Sequence, residues 1–84
     1  SLSGNYPNPF NPATSIRFSK KTHSDTHMRI FDLNGRLVKT LIDGLHASGE
    51  HQVTWHAGHL SSGTYFVQMK SGDFVKTRKM VLLK

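Results

Sequence analysis

Short segments with apolar residues at every second position recur along this chain, separated by clusters of glycine, asparagine, aspartate and serine. Successive side chains of a β-strand point to opposite faces of a sheet, so this spacing is typical of strands with one buried and one solvent-facing side. No stretch shows a convincing helical period. The chain is therefore expected to fold by pairing strands.

Six or seven such strands fit into the 84 residues. Short strands at regular spacing, with turn signals between them, are typical of sandwiches and barrels. The sequence thus predicts an all-β fold, an antiparallel immunoglobulin-like β-sandwich, with a closed barrel as the alternative. Because the chain has no cysteine, the disulfide of immunoglobulin domains is absent, and Trp55 is expected to pack against aliphatic and aromatic neighbours instead.

The alternation also predicts which side chains face the core. Within 15–19, Arg17 is expected to face water, and the final strand, about Phe74 to Leu83, is expected to have both faces covered around Val81 and Leu83. Trp55 is the strongest core candidate. The residues predicted to point inward are Ile16, Phe18, His51, Val53, Trp55, Tyr65, Val67, Met69, Met80 and Leu82.

A hairpin is predicted where strands at about 27–32 and 36–42 meet across Leu33-Asn34-Gly35. Asn-Gly is a strong hairpin signal because both residues tolerate the positive φ angles of a tight turn. Asp43-Gly44 and the segment 47–49 are expected to break the chain before the next strand.

The first residues read differently from the rest. Residues 1–13 form an extended lead-in rich in proline and asparagine, and residues 14–84 form the single sandwich domain. Proline lacks a backbone donor and keeps its predecessor extended, so a helix is not expected here. Tyr6 and Phe10 are expected to pin the lead-in to the domain. The start at Ser1 suggests a segment of a longer polypeptide.

Composition narrows the classes of partner. The formal net charge is +6 at pH 7, with lysines and arginines frequent near the C-terminus. This would suit an anionic partner, but no nucleic acid is expected, since the chain lacks a basic helix, a zinc-finger spacing and an aromatic RNA-binding signature. Lysines on a terminal strand can equally protect a sheet edge from pairing with other chains. No apolar run reaches the roughly 20 residues of a membrane span, so no membrane insertion is expected.

Catalytic and metal chemistry find no support in the sequence. The chain has six histidines, yet a catalytic zinc site needs three protein ligands, and although His56 and His59 lie close in sequence, no third ligand is indicated beside them. The acidic residues are scattered, and no serine, histidine and acid arrangement is evident. We expect no metal, no cofactor and no enzymatic activity.

Five segments together carry a family resemblance. They are 5–12 (NYPNPFNP), 30–38 (IFDLNGRLV), 49–55 (GEHQVTW), 62–66 (SGTYF) and 79–84 (KMVLLK). In this order they resemble the type A sorting domains, the C-terminal domains of proteins exported by the type IX secretion system of Bacteroidetes-like bacteria. That family is similar to the immunoglobulin-like domain of flagellar hook capping proteins. One departure is Trp55-His56-Ala57-Gly58, where the family often has Trp-Asp-Gly, so the turn there is in doubt.

The resemblance implies a function as an export signal. A preceding cargo domain would be carried through the periplasm to the cell surface or the medium, the outer-membrane translocon would recognise this domain, and a sortase-like protease would cut it off at or before residues 1–4. The implied recognition residues are Gly63, Tyr65, Lys79 and Lys84. The motif residues with an implied structural role are Asn8, Pro9, Phe10, Asn11, Pro12, Asn34, Gly35 and Trp55.

Each recognition residue also has a structural explanation. Gly63 can simply permit the backbone geometry at a strand start, and Tyr65 can be a core residue with its hydroxyl at the rim. The main functional alternative is a polysaccharide-binding module linked to a secreted hydrolase. Such a module should expose a flat aromatic stripe, for which Trp55, Tyr65 and Phe66 are the candidates, whereas the alternation buries the first two.

Overall fold

The computed structural model describes residues 1–84 and contains seven strands. The strands are β1 (Leu2–Tyr6), β2 (Ala13–Lys20), β3 (Ser24–Asp32), β4 (Leu37–His46), β5 (Gly49–His56), β6 (Gly63–Ser71) and β7 (Phe74–Leu82). No helix is long and apolar enough to cross a membrane.

The strands form two antiparallel sheets, one of three strands in the order β1-β2-β5 and one of four in the order β4-β3-β6-β7. Two separate sheets make a sandwich, so the predicted all-β antiparallel β-sandwich is confirmed and the closed barrel is wrong.

The core lies between the sheets and follows the predicted alternation. Ile16 and Phe18 are buried while Arg17 between them is exposed, and Trp55 is only 2% exposed. His51 and Val53, which share the face of Trp55, are half-buried. The core cluster consists of Leu2, Phe10, Ile16, Phe18, Met28, Ile30, Trp55, Ala57, Tyr65, Val67, Met69, Met80 and Leu82.

The lead-in contributes more than an extended approach. Residues 2–6 pair with β2 as an edge strand of the three-stranded sheet, and Leu2 is buried in the core. The sequence of this segment does not show the alternation of a strand, because Leu2 is its only aliphatic residue and the others are serine, glycine, asparagine and tyrosine. Phe10 is buried as expected, but Tyr6 is 81% exposed and does not pin the lead-in to the core.

Three local predictions are wrong. The predicted break at Asp43-Gly44 is absent, because β4 continues to His46 with Gly44 at a φ of 139° inside the strand, opposite Thr26. At the hairpin only Gly35 has a positive φ, 80°, while Asn34 does not. Leu83 is 54% exposed, since no element covers this face of the chain after β7.

The β3–β4 hairpin differs from the expected tight turn with two left-handed residues, because the side chain of Asp32 stabilises its loop. The Asp32 carboxylate accepts hydrogen bonds from the backbone N–H groups of Asn34 and Arg36, at 2.9 and 3.0 Å. The N–H of Gly35 donates to the carbonyl of Asp32, closing a turn with Leu33 and Asn34 at its centre before left-handed Gly35. A turn followed by a left-handed residue is the common three-residue hairpin loop.

A buried lysine lies at the opposite end of the sandwich from this hairpin. Lys20 is only 7% exposed, and its ammonium group donates to the carbonyls of Ser24 and His46, at 2.8 and 2.7 Å. His46 packs edge-on against His51 with ring centroids 4.4 Å apart. Burial lowers the pKa of His46, and the positive potential of His51 and Lys20 lowers it further. This cluster ties the β4–β5 connection to the end of β2.

Candidate functional site

The first family motif binds the free edge of the last strand. The segment 7–12, here called the N-terminal strap, runs beside the end of β7 and makes a parallel bridge between Phe10 and Leu82. The N–H of Phe10 donates to the carbonyl of Val81 at 2.9 Å, and the N–H of Leu83 donates to the carbonyl of Phe10 at 3.0 Å. The strap thus covers part of a sheet edge that would otherwise expose unpaired backbone groups.

Asn8 extends this contact with its side chain. Its Oδ1 accepts from the N–H of Val81 at 3.0 Å, and its Nδ2 donates to the carbonyl of Lys79 at 3.4 Å. An asparagine amide can satisfy one donor and one acceptor of a strand at once. The Asn8 side chain therefore makes the hydrogen bonds to β7 that the backbone of a paired strand would make, next to Pro9, which has no backbone N–H to donate.

The strap is anchored by an aromatic cluster. The ring centroids of Phe10 and Trp55 are 5.5 Å apart, and Trp55 makes an edge contact with Tyr65 at a centroid separation of 5.7 Å. Aromatic pairs at such separations add to the stabilisation from burial alone. Three of the family motifs therefore meet in the core, although their residues are far apart in sequence.

The loop at 57–62 holds the ends of these elements together. The N–H of Ala57 donates to the carbonyl of Pro12 at 2.8 Å, and the hydroxyl of Tyr65 donates to the carbonyl of Ser61 at 2.8 Å. The backbone N–H of Lys84 donates to the Ser62 hydroxyl at 2.9 Å, and its ammonium donates to the carbonyl of Gly58 at 2.6 Å. Lys84, the final residue of the last motif, thus binds the loop in which the sequence departs from the family pattern.

These contacts place the motifs at one end of the sandwich, which we call the motif pole. Asp32 is paired with Tyr65, so the β3–β4 hairpin lies at the same end as the start of β6. The motif pole consists of the strap at 7–12, the hairpin at 33–36, the loop at 57–62 and residues 83–84. Each segment connects or extends strands whose paired ends lie there.

The predicted recognition residues occupy different positions around this pole. Tyr65 is buried and hydrogen-bonded, while Gly63 is exposed at the start of β6, opposite Leu82. Gly63 has a φ of 154° with open space where a side chain would lie, so its constraint is backbone conformation. Lys84 is exposed at the pole, and Lys79 is exposed on the outer face of the four-stranded sheet.

The remaining motif residues separate into buried, bonded and exposed positions. Phe10 and Trp55 are in the core, Asn8 bonds to β7, and Pro12 accepts from Ala57. The exposed members are Asn8, Pro9, Asn11, Pro12, Asn34 and Gly35.

Two residues that hold the strap were not singled out from the sequence. The hydroxyl of Thr14 donates to the carbonyl of Pro7 at 2.9 Å, and the amide of Asn5 donates to the same carbonyl at 3.2 Å and to the Thr14 hydroxyl at 3.1 Å. Thr14 is 2% exposed at a strand position facing inward. A threonine in line with Ile16 and Phe18 could have signalled a buried hydrogen bond, since buried hydroxyls require partners.

No constellation for catalysis or metal binding accompanies the pole. No three histidine or acidic side chains converge closely enough to hold a metal ion. The aromatic residues offer no flat exposed stripe, because Trp55 and Tyr65 are buried and half-buried Phe66 lies on the opposite face of its strand. What the geometry defines is a small β-sandwich module whose first and last sequence motifs are joined at one pole.

The chain belongs to the family of secretion system C-terminal sorting domains, whose model matches residues 5–83. The chain is also similar to PorZ, described as an essential bacterial surface component of the type IX secretion system of Porphyromonas gingivalis, with a TM-score of 0.68 and 19% identity. That likeness covers 100% of this chain and 12% of the PorZ chain, and it shows the fold alone. No curated protein matches the chain significantly.

Membership defines the role of the domain in general terms. It is a C-terminal sorting signal for type IX secretion, not itself catalytic, which follows a cargo and directs it to the cell surface or the extracellular space. The resemblance found in the sequence is thereby confirmed.

Replacing Asn8 by alanine tests the strap. The change removes both bonds to β7, and we expect it to lower the free energy of unfolding by about 1 kcal/mol, the usual net value of a partly exposed hydrogen-bonded group. Asn11→Ala is the matched control, because Asn11 is exposed and its side chain makes no hydrogen bond. Urea denaturation of both variants measures the difference. Equal stabilities would show that the Asn8 bonds contribute nothing.

Proposed function

We propose that the outer-membrane translocon of the type IX system recognises the motif pole of this domain. The observation that carries the proposal is the bonding of the N-terminal strap to the end of β7, through Phe10, Asn8 and the backbone at 79–83. Because of it, motifs more than 70 residues apart form one surface. A partner that bound this surface would detect both ends of the domain, and only in the folded state.

The position of the chain ends supports this proposal. Ser1 lies at the end opposite the pole, where its backbone nitrogen and its hydroxyl bond to Ser19. The domain is 37 Å along its longest axis, and β7 leads from that end to the pole. A cargo joined before Ser1 would therefore emerge away from the pole and leave it accessible.

Within this proposal the recognition residues have two kinds of role. Lys79 and Lys84 present exposed charges to the partner, whereas Gly63 and Tyr65 fix the backbone of β6 and the loop at 57–62. The cargo would pass through the periplasm, and a sortase-like protease would cut before the domain. That cut would fall at the exposed end near Ser1, remote from the recognised surface.

An export assay tests the function directly. Residues 1–84 are fused to the C-terminus of a reporter that carries its own signal peptide, in a host with a type IX system. We expect the reporter outside the cell, because the sorting-domain family model matches residues 5–83 of the chain. A fusion that is folded but remains in the periplasm would contradict the proposal and favour the polysaccharide-binding alternative.

The two lysines separate recognition from edge protection. In the same fusion, Lys79→Glu with Lys84→Glu reverses two exposed charges, and exposed substitutions usually change stability by no more than about 0.5 kcal/mol, although Lys84 also loses its bond to Gly58. If these charges meet the partner, the folded double variant should export less reporter. Normal export would assign both lysines to protection of the β7 edge alone.

A further inference from the structure

A second surface lies beside the motif pole, on the outer face of the four-stranded sheet. In the register of this sheet, Phe31 lies opposite Leu37 on one side and Phe66 on the other, and Phe66 lies opposite Lys79. Phe31 and Phe66 are half-buried, and Leu37 is 56% exposed. An apolar row thus crosses three strands on a face where solvated antiparallel sheets ordinarily carry polar residues.

Cations surround this row. Arg29 lies two residues from Phe31 along β3, on the same face and opposite Gln68 of β6. Lys70 lies two residues beyond Gln68 on β6, again on this face, and opposite Val75. Lys79 ends the row on β7. Two acids lie on this face: Asp43 is paired with His27 at 2.6 Å, and Asp25 lies three two-residue steps along β3 from Phe31, at the far end of the strand from the row. We call the set formed by Leu37, Phe31, Phe66, Arg29, Lys70 and Lys79 the outer-face patch.

We propose that the outer-face patch docks an acidic protein surface of the type IX translocon, with Phe66 as the central anchor. The inference rests on the proposed function and names a further surface and the chemistry of its partner. The argument is charge complementarity, since the whole chain carries a formal charge of +6 and the patch adds unpaired cations around apolar side chains. Aromatic residues within a rim of charge are typical of the centres of protein interfaces.

The shape of the patch favours a protein over a lipid surface. Phe31 and Phe66 lie half-buried within the pleated face of paired strands and do not project from a loop. Membrane-binding elements insert their apolar side chains about 5–10 Å into the headgroup boundary. A flat face with recessed aromatic rings instead matches another flat protein surface.

Binding of the 84-residue chain to purified, detergent-solubilised translocon complex from a type IX host tests the inference. Phe66→Thr keeps a strand-favouring residue and removes the anchor, and we expect binding at least about tenfold weaker. Lys79→Glu alone should weaken binding and reduce its dependence on salt. Arg17→Glu is the matched control, because it makes the same charge change on the exposed face of the other sheet and should leave the Kd nearly unchanged.

The outcomes separate this inference from the proposed function. If the wild-type chain directs reporter export and binds the complex, but folded Phe66→Thr and Lys79→Glu bind equally well, the outer-face patch is not the docking surface. A loss shared equally by Arg17→Glu would reduce the effect to net charge and overturn the inference. The same ranking of variants on vesicles of phosphatidylglycerol, without any on the complex, would replace the protein partner by a membrane. Failure of the wild-type chain to bind or export would contradict the proposed function itself.

Discussion

Replacing Trp55 by alanine should destabilise the domain by about 3–5 kcal/mol, the usual cost of truncating a fully buried tryptophan. Trp55 is 2% exposed, and its ring lies between Phe10 of the strap and Tyr65 of β6. The substitution leaves a cavity between these aromatic rings and removes the contact that anchors the strap. Small domains have free energies of unfolding of about 5–15 kcal/mol, so a large part of the stability is at stake.

Thermal and urea unfolding followed by far-ultraviolet circular dichroism measure this effect, since the variant loses the only tryptophan and its fluorescence. Thr54→Ala is the control, because Thr54 is the exposed neighbour of Trp55 in the same strand. We expect Thr54→Ala to change stability far less. A Trp55→Ala variant with near wild-type stability would mean that this ring does not fill the core.

Deleting Lys79–Lys84 should abolish both folding and export of the fused reporter. The deletion removes Met80 and Leu82, which have 0% exposure, and such side chains are each worth about 2–5 kcal/mol. It also removes the backbone groups that bind Phe10, and leaves the start of β6, residues 63–66, without its neighbour. Unpaired buried backbone groups add a further cost.

A shorter truncation separates folding from recognition. Deleting only Leu83–Lys84 keeps Met80 and Leu82 and removes the bonds from Leu83 to Phe10 and from Lys84 to the loop at 57–62. If this shorter form folds but is not exported, the translocon detects the end of the motif itself. Normal export of a reporter that lacks residues 79–84 would contradict both the proposed recognition of the motif pole and the structural role of β7.

The loop departure from the family pattern has a structural consequence of its own. Where the family often has Trp-Asp-Gly, the chain has Trp55-His56-Ala57-Gly58, and Ala57 is buried with its N–H bonded to Pro12. The Lys84 ammonium binds the carbonyl of Gly58. The strap, this loop and the last residue are therefore coupled, and a change in one is expected to shift the others.

The local patterns of the sequence were sufficient for every strand except β1 and for most of the core. Alternation alone identified the buried faces around Ile16, Trp55 and Val67, because side-chain direction in a strand depends only on the parity of the position. Gly35 was recognised as a left-handed position from its own conformational freedom, independent of the rest of the chain. The ordered motifs likewise identified the sorting family without any spatial information.

What the sequence could not decide depends on contacts between distant residues. The edge strand β1, the passage of β4 through Gly44 and the exposure of Leu83 follow from which strands are neighbours, since a paired partner can keep glycine in a strand and the lack of one can leave leucine in solvent. The bonding of Asn8 to Val81 spans 73 residues. Local propensity contains no term for such a contact, so the union of the first and last motifs into one pole was determined by tertiary packing, through the burial of Phe10 against Trp55 and the satisfaction of the backbone groups at the edge of β7.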